Sequence, residues 1–165
     1  MSKATDGLKQ AFAGESQANR KYLAFAKKAD DEGYALAARM FRAAAAAETV
    51  HAHAHLKAMG AIGSTVDNLK SAIEGEVYEF TKMYPPFIDA AKEEGNKAAL
   101  RSFEYAHQVE DTHAKLFQNV LDNLSTTSEN YPFYVCQVCG HTAERAFPET
   151  CPVCGAKSSM AKLVE

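Results

Sequence analysis

The sequence predicts a mainly α-helical protein in which a four-helix bundle is followed by a small, turn-rich β domain. Three observations support this prediction: helical apolar periodicity up to about residue 124, an internal repeat within that region, and four cysteines that all follow position 135. The 165 residues, 47% of them hydrophobic, suffice for one ordinary domain with a small appendage. We therefore predict a bundle at residues 1–124, a polar linker at 125–133 and the β domain at 134–165.

Each predicted helix carries an inward stripe of residues spaced by three and four, with one carboxylate near its middle. Breaks at Gly33, Gly60–Gly63 and Gly95 separate the four helices. The four central carboxylates are Glu15, Glu48, Glu76 and Glu110. Because His51 and His113 share these stripes, we expect the carboxylates and both imidazoles on the buried side of the bundle.

The bundle region also contains an internal repeat. Residues 32–52 match residues 94–114 at a constant offset of 62, and the shared positions end in the motif E-x-x-H-A. Residues 8–21 match residues 69–82 at an offset of 61. The first two helices therefore look like a duplicate of the last two, and a pseudo-twofold axis would bring the acidic layers of the two halves together.

The motif E-x-x-H places two side chains one turn apart on one helical face, so both can reach a common ion. One such motif can arise by chance, but two at corresponding repeat positions favour a metal centre. Burying these carboxylates without cations would cost more free energy than the net stability of a folded domain. A mixed shell of oxygen and nitrogen ligands suits iron or manganese. The predicted ligands are Glu15, Glu48, His51, Glu76, Glu110 and His113.

The repeat is broken at Glu79, which lies one turn after Glu76 on the same face and corresponds to Ala18 in the first half. Glu79 is either a solvated side chain at the edge of the stripe or an additional ligand. An additional ligand would let one iron change its coordination between oxidation states. Just beyond it, Pro85 and Pro86 remove two backbone donors, which predicts a kinked or loosened turn.

The pairs Cys136-x-x-Cys139 and Cys151-x-x-Cys154 are separated by eleven residues and form a strong tetrathiolate signature. A glycine follows the second cysteine of each pair, where a metal-binding knuckle needs a positive φ angle. Clustered cysteines in a cytoplasmic chain favour metal over disulfides. The spacing itself leaves both a structural zinc ribbon and a one-electron iron centre open.

Charge and hydropathy exclude several classes of function. The net charge of −3 and the lack of a dense Lys/Arg stripe argue against a nucleic-acid partner. No apolar run has the length that a membrane helix needs, and the polar N-terminus lacks the apolar segment of a signal peptide. We therefore expect a soluble, cytoplasmic protein with no membrane partner.

The complete set of motifs resembles the rubrerythrins, in which a ferritin-like di-iron bundle precedes a rubredoxin-like domain. The resemblance rests on GESQA around Glu15, ETVH, GEVYEFTKMYP, EDTH, and the pair CQVCG and CPVCG. It implies two irons in the bundle and one in the cysteine site, where zinc can take the place of iron. It adds Glu79 to the iron ligands and places Tyr22 and Tyr84 close to them. The implied catalytic residues are Glu79, His51, Tyr22 and Tyr84.

The resemblance also implies an activity and partners. Rubrerythrins reduce hydrogen peroxide with electrons from an NAD(P)H-linked reductase or a rubredoxin-type donor, relayed through the Fe(Cys)4 centre. We expect the same activity here, in oxidative-stress defence, and a homodimer. Two alternatives stay open on the residues alone: a ferritin-like protein that oxidises and binds iron, and a non-enzymatic bundle with a structural zinc ribbon.

Overall fold

The computed structural model describes residues 2–126 and 129–164, so Thr127 and Ser128 of the predicted linker lie outside the described residues. The chain is mainly helical with one small sheet, as predicted. The described residues form two compact units, one ending at Gly63 and the other beginning at Ser64. The elements are α1 Lys3–Asp31, α2 Ala35–Ala58, α3 Thr65–Tyr78, a π-helical segment Glu79–Met83, α4 Tyr84–Glu93, α5 Lys97–Asn123, β1 Phe133–Cys136, β2 Thr142–Glu144 and β3 Ala161–Val164.

The first unit is a hairpin of α1 and α2 that packs through small side chains. Ala38, Ala45 and Ala52 are buried and recur every seventh residue along α2, so they form one narrow stripe facing α1. Small side chains let the two backbones approach closely. This explains the alanine-rich sequence of α2. Asn19 of α1 is buried in this contact, where its amide donates hydrogen bonds to the Ala45 carbonyl at 2.7 Å and to Thr49 Oγ1 at 2.9 Å.

The second unit begins with a capping box, in which Ser64 Oγ accepts a hydrogen bond from the backbone of Asp67 and the Asp67 side chain accepts from the backbone of Ser64. The predicted third helix consists of three contiguous segments, α3, the π-helical segment and α4. The backbone N–H of Tyr84 donates to the Glu79 carbonyl, five residues earlier. The prolines that follow have no N–H to donate, and the predicted loosened turn is confirmed in the residues just before them.

The π-helical segment also explains why the repeat has two offsets. The halves match at 61 up to Lys82 and at 62 from Glu94, so the second half holds one extra residue between these positions. A π turn contains more residues than an α turn and absorbs an insertion without ending the helix. The change of offset was a sequence signal for this segment, which the proline-based prediction did not use.

The C-terminal sheet has the strand order β2-β1-β3 and is antiparallel throughout. Gly140 and Gly155 have φ angles of +85° and +73°, as the knuckle geometry requires, and donate to the Cys136 and Cys151 carbonyls. A Cβ added at Gly140 would lie 3.9 Å from Val109 of α5, whose side chain is only 2% exposed. The first knuckle therefore packs directly on α5 within the second unit. Among the described residues, no helix is both long and apolar enough to cross a membrane.

Candidate metal centres

The four cysteines form a preshaped tetrahedral cage. Their sulfur atoms all lie within 4.8 Å of one another, and none is in a disulfide. The Sγ atoms of Cys136 and Cys154 are 3.7 Å apart, and those of Cys139 and Cys151 are 3.6 Å apart. A tetrahedral ion with metal–sulfur bonds of about 2.3 Å requires sulfur–sulfur distances of about 3.8 Å, far longer than a disulfide bond of about 2.05 Å. The cage therefore has the dimensions of an Fe(Cys)4 or Zn(Cys)4 site.

Backbone donors prepare this cage for thiolates. Burial opposes ionisation of Cys136, but the N–H groups of Val138 and Cys139 donate to its sulfur and the neighbouring thiols assist, lowering its pKa to about 7. Burial instead raises the pKa of Cys139 and of Cys154. The Cys136 sulfur is thus ionised readily, whereas Cys139 and Cys154 need the charge of a metal ion to ionise.

The first carboxylate–histidine cluster lies in the helical hairpin and contains Glu15, Glu48 and His51, whose ligand atoms lie within 4.8 Å of one another. His51 Nδ1 is 2.8 Å from Glu48 Oε2. A hydrogen bond between Glu15 and Glu48 raises the pKa of Glu15 and lowers the pKa of Glu48, so Glu15 is the more easily protonated of the two.

The expectation that both Glu48 and His51 lie on the buried side is confirmed for one and wrong for the other. The Glu48 side chain is 18% exposed, whereas that of His51 is 56% exposed. Within its unit α2 has a single neighbouring helix, α1, which packs on the alanine stripe and leaves the His51 side chain mostly exposed. His51 therefore lies on the predicted face of α2, but its side chain on that face is exposed to solvent.

The second cluster lies between α3 and α5 and contains Glu76, Glu110 and His113. His113 Nδ1 is 2.9 Å from Glu110 Oε2 and 3.5 Å from Glu76 Oε2. Burial and the neighbouring Glu110 raise the pKa of Glu76 to about 7, and burial also raises the pKa of Glu110. This cluster is more enclosed than the first, since its three side chains are 14–26% exposed. Its acidic groups are correspondingly harder to ionise without a cation.

Glu79 and the two predicted tyrosines differ in where they lie with respect to these clusters. Glu79 begins the π-helical segment and is not among the closely spaced ligand atoms, although burial and then the charge of Glu76 raise its pKa. Burial raises the pKa of Tyr84, and the charges of Glu110, Glu79 and Glu76 add to that effect, so its phenol lies near the second cluster. Tyr22 packs in an aromatic group with two phenylalanines, Phe25 and Phe41. Its predicted role near the metal stays a prediction.

One polar residue near the second cluster was missed by the sequence reasoning. Thr142 Oγ1 of β2 lies 3.0 Å from His113 Nε2, on the side of the ring away from the carboxylates. A mostly apolar cavity of about 370 Å³ adjoins this contact and is lined by Leu69, Phe117 and Phe133, among others. This contact could not be predicted from a single threonine after a CxxCG motif. It forms only because the C-terminal domain packs on α5.

Taken together, these features define a non-haem metalloprotein with two kinds of metal centre, one with carboxylate and imidazole donors and one with four thiolates. The rubrerythrin family model matches residues 6–121, and the model for the rubredoxin-like domain of rubrerythrin matches residues 134–160. Because the first match alone covers more than half of the sequence, the chain belongs to the rubrerythrin family. Proteins of this family use iron in both the di-iron site and the cysteine site, and both donor sets fit it.

Similar proteins agree with this assignment. The chain is 37% identical to rubrerythrin-2 of Clostridium acetobutylicum, over 92% of this chain and 91% of that protein. It is 34% identical to nigerythrin of Nitratidesulfovibrio vulgaris, over 90% of this chain and 80% of that protein. A solved structure of nigerythrin in a partially reduced state shares 32% identity and covers 99% of this chain and 88% of its own, with a TM-score of 0.60. The predicted ferritin-like and rubredoxin-like fold class is thereby confirmed.

The raised pKa of Glu76 predicts how the stability of the metal-free protein depends on pH. Because the pKa of about 7 in the folded state exceeds the ordinary glutamate value of 4.5, the folded state binds more protons between these limits. The Glu76 contribution is therefore fully present at low pH and is lost as pH rises through 7. We expect metal-free Glu76→Gln to lose less stability than the parent between pH 5 and pH 8, measured by urea unfolding.

The control for this experiment is Glu74→Gln, which alters an exposed glutamate on the same helix. This variant should keep the parent's pH dependence. A Glu76→Gln profile that is superimposable on the parent profile would contradict the assignment of a protonated Glu76 to the metal-free cluster.

Proposed function

We propose that this protein is a non-haem di-iron peroxidase that reduces hydrogen peroxide to water. Electrons pass to its bundle irons through the C-terminal Fe(Cys)4 centre. The observation that carries the proposal is the presence in one chain of two carboxylate–histidine clusters and a tetrahedral cysteine cage. Membership of the rubrerythrin family supports the same activity. A ferritin-like iron-binding protein has no need of the cysteine domain, and a bundle with a structural zinc ribbon has no need of two acidic clusters.

In this proposal residues 1–124 form the di-iron bundle, 125–133 the linker and 134–165 the rubredoxin-like domain. Cys136, Cys139, Cys151 and Cys154 hold one iron. When bound, the iron pair of the bundle supplies the two electrons that, with two protons, convert one hydrogen peroxide into two waters. The residues that hold the pair are Glu15, Glu48, His51, Glu76, Glu79, Glu110 and His113.

Titratable groups of the two clusters can hold protons in the metal-free protein. Glu76 has a pKa of about 7, so in the metal-free protein it can hold or release a proton near neutral pH, and a hydrogen bond with Glu48 raises the pKa of Glu15. The raised pKa of Tyr84 keeps its phenol protonated as a hydrogen-bond donor beside the second cluster. Tyr22 has the corresponding role for the first cluster in this proposal.

Glu79 is proposed as a seventh ligand, which would hold iron in the oxidised state but not in the reduced state. Its position at the start of the π-helical segment supports this, because π turns are weaker than α turns and occur frequently at functional sites. His51 would supply an imidazole donor to the iron pair. Its side chain is 56% exposed in its unit and contacts Glu48.

The rubredoxin-like domain supports electron-transfer partners, and the proposed donor is an NAD(P)H-linked reductase or a rubredoxin-type protein. The proposed assembly is a homodimer, and the proposed location is the cytoplasm, where the protein would defend the cell against peroxide. Membership of the rubrerythrin family supports these assignments.

Replacing Cys136 and Cys139 by serine separates the roles of the two metal centres. We expect the double variant to lose the red colour of ferric Fe(Cys)4 and all turnover driven by a reductase. The chemically reduced bundle should still consume peroxide in a single turnover, since its ligands are unchanged. Visible spectroscopy and anaerobic single-turnover assays measure both effects. Loss of the single turnover from a folded, iron-loaded bundle would show that this division of roles is wrong.

Replacing Glu79 by alanine tests the seventh ligand. We expect Glu79→Ala to retain both bundle irons, because six other ligands remain, and to reduce peroxide about tenfold or more slowly. Its reaction with dioxygen should become relatively faster. Glu74→Ala, an exposed glutamate on the preceding helix, should behave as the parent does. An iron-loaded Glu79→Ala protein with the parent peroxidase rate would refute a ligand role for Glu79.

A further inference from the structure

We propose that Thr142 is a positioning residue for the metal ligand His113 and that it couples the cysteine cage to the second cluster within one chain. The proposal rests on the proposed function, because it takes His113 as an iron ligand. It depends on a contact between the C-terminal domain and α5, both of which belong to the second unit.

The contact holds the His113 ring from both sides. Nδ1 points to the carboxylates, 2.9 Å from Glu110 Oε2, and Nε2 lies 3.0 Å from Thr142 Oγ1. The ring is 26% exposed, whereas His51, the corresponding residue of the first half, is 56% exposed. The C-terminal domain therefore holds the histidine of the second half of the repeat. The sequence of the first half contains no counterpart of this contact.

The direction of the hydrogen bonds fixes the tautomer of the ring. Thr142 Oγ1 also lies 3.2 Å from the Gly140 carbonyl oxygen, which can only accept a hydrogen bond. The hydroxyl proton of Thr142 is therefore donated to Gly140, and its oxygen accepts from His113. His113 Nε2 then carries the ring proton, and Nδ1, the nitrogen that faces Glu110 and Glu76, is the one that would bind a metal ion.

The position of Thr142 is itself set by the cysteine knuckle. Val135 and Thr142 are paired in the antiparallel ladder, and the backbone N–H of Cys136 donates to the His141 carbonyl at 2.9 Å. Gly140 directly follows Cys139 and packs against Val109 of α5. Metal binding by the cysteines thus rigidifies the loop that orients His113.

These contacts also form a continuous path in one chain. It runs along the backbone from Cys139 to the Gly140 carbonyl, then through hydrogen bonds to Thr142 Oγ1 and to His113 Nε2. The path supplies a short connection between the thiolate centre and an imidazole of the carboxylate centre, and a second chain is not required for it.

The variants Thr142→Val and Thr142→Ser test this proposal. Valine has nearly the same shape but no hydroxyl, whereas serine keeps the hydroxyl. Each full-length protein is loaded with Zn²⁺ as a diamagnetic probe, and the affinity of the bundle site is measured by competition with a chelator. The His113 Nε2–H proton is followed by ¹⁵N-edited NMR, which reports the tautomer and the exchange of that proton with water.

We expect Thr142→Val to weaken bundle Zn²⁺ binding by about 10- to 100-fold and to expose the His113 Nε2–H proton to faster exchange. Thr142→Ser should restore both properties, and the cysteine site should stay fully loaded in all three proteins. Unchanged affinity and exchange in Thr142→Val would overturn the proposal while leaving the proposed function intact. A parent protein with no metal at His113 would overturn both, and loss of both properties in Thr142→Ser would also contradict a role for the hydroxyl.

Discussion

The structure depends on one electrostatic constraint, the placement of several carboxyl groups on helix faces where water is partly excluded. Burial raises the pKa of Glu76 to about 7 and also raises that of Glu110, while a hydrogen bond between Glu15 and Glu48 raises the pKa of Glu15 and lowers that of Glu48. A carboxylate in such a position is stabilised only by protons or cations, and each histidine adds a neutral donor of the kind that transition metals bind. The helices therefore form a scaffold whose buried charge is balanced when metal binds.

The two halves of the repeat satisfy this constraint differently. The first is a plain hairpin packed through alanines, with His51 open to solvent in its unit. The second holds an inserted residue in a π-helical segment that begins at Glu79, and its His113 is held by Thr142 of the C-terminal domain. Duplication thus explains the shared E-x-x-H motifs, and the later changes are concentrated in the half that contacts the cysteine domain.

Much of this could be predicted from the sequence, because helix faces and knuckle spacing are local properties. The motifs placed Glu110 and His113 on one face, and the CxxCG pairs predicted the cage, whose sulfur distances match a tetrahedral ion. The π-helical segment was predicted only as a loosened turn, because the prolines were used and the change of repeat offset was not. Exposure of His51 and the contact of Thr142 depend on which elements pack together, and no local pattern encodes that.

The central claim is that one chain combines a peroxide-reactive iron pair with a separate one-electron iron centre. The most direct test is iron analysis of natively expressed, anaerobically purified protein, combined with titration of its fully reduced form by hydrogen peroxide. The account predicts about three irons per chain, with oxidation of the pair by one equivalent of peroxide before the cysteine-bound iron turns red. Zinc in the cysteine cage of such a preparation, or a reduced iron pair that does not consume peroxide, would contradict it.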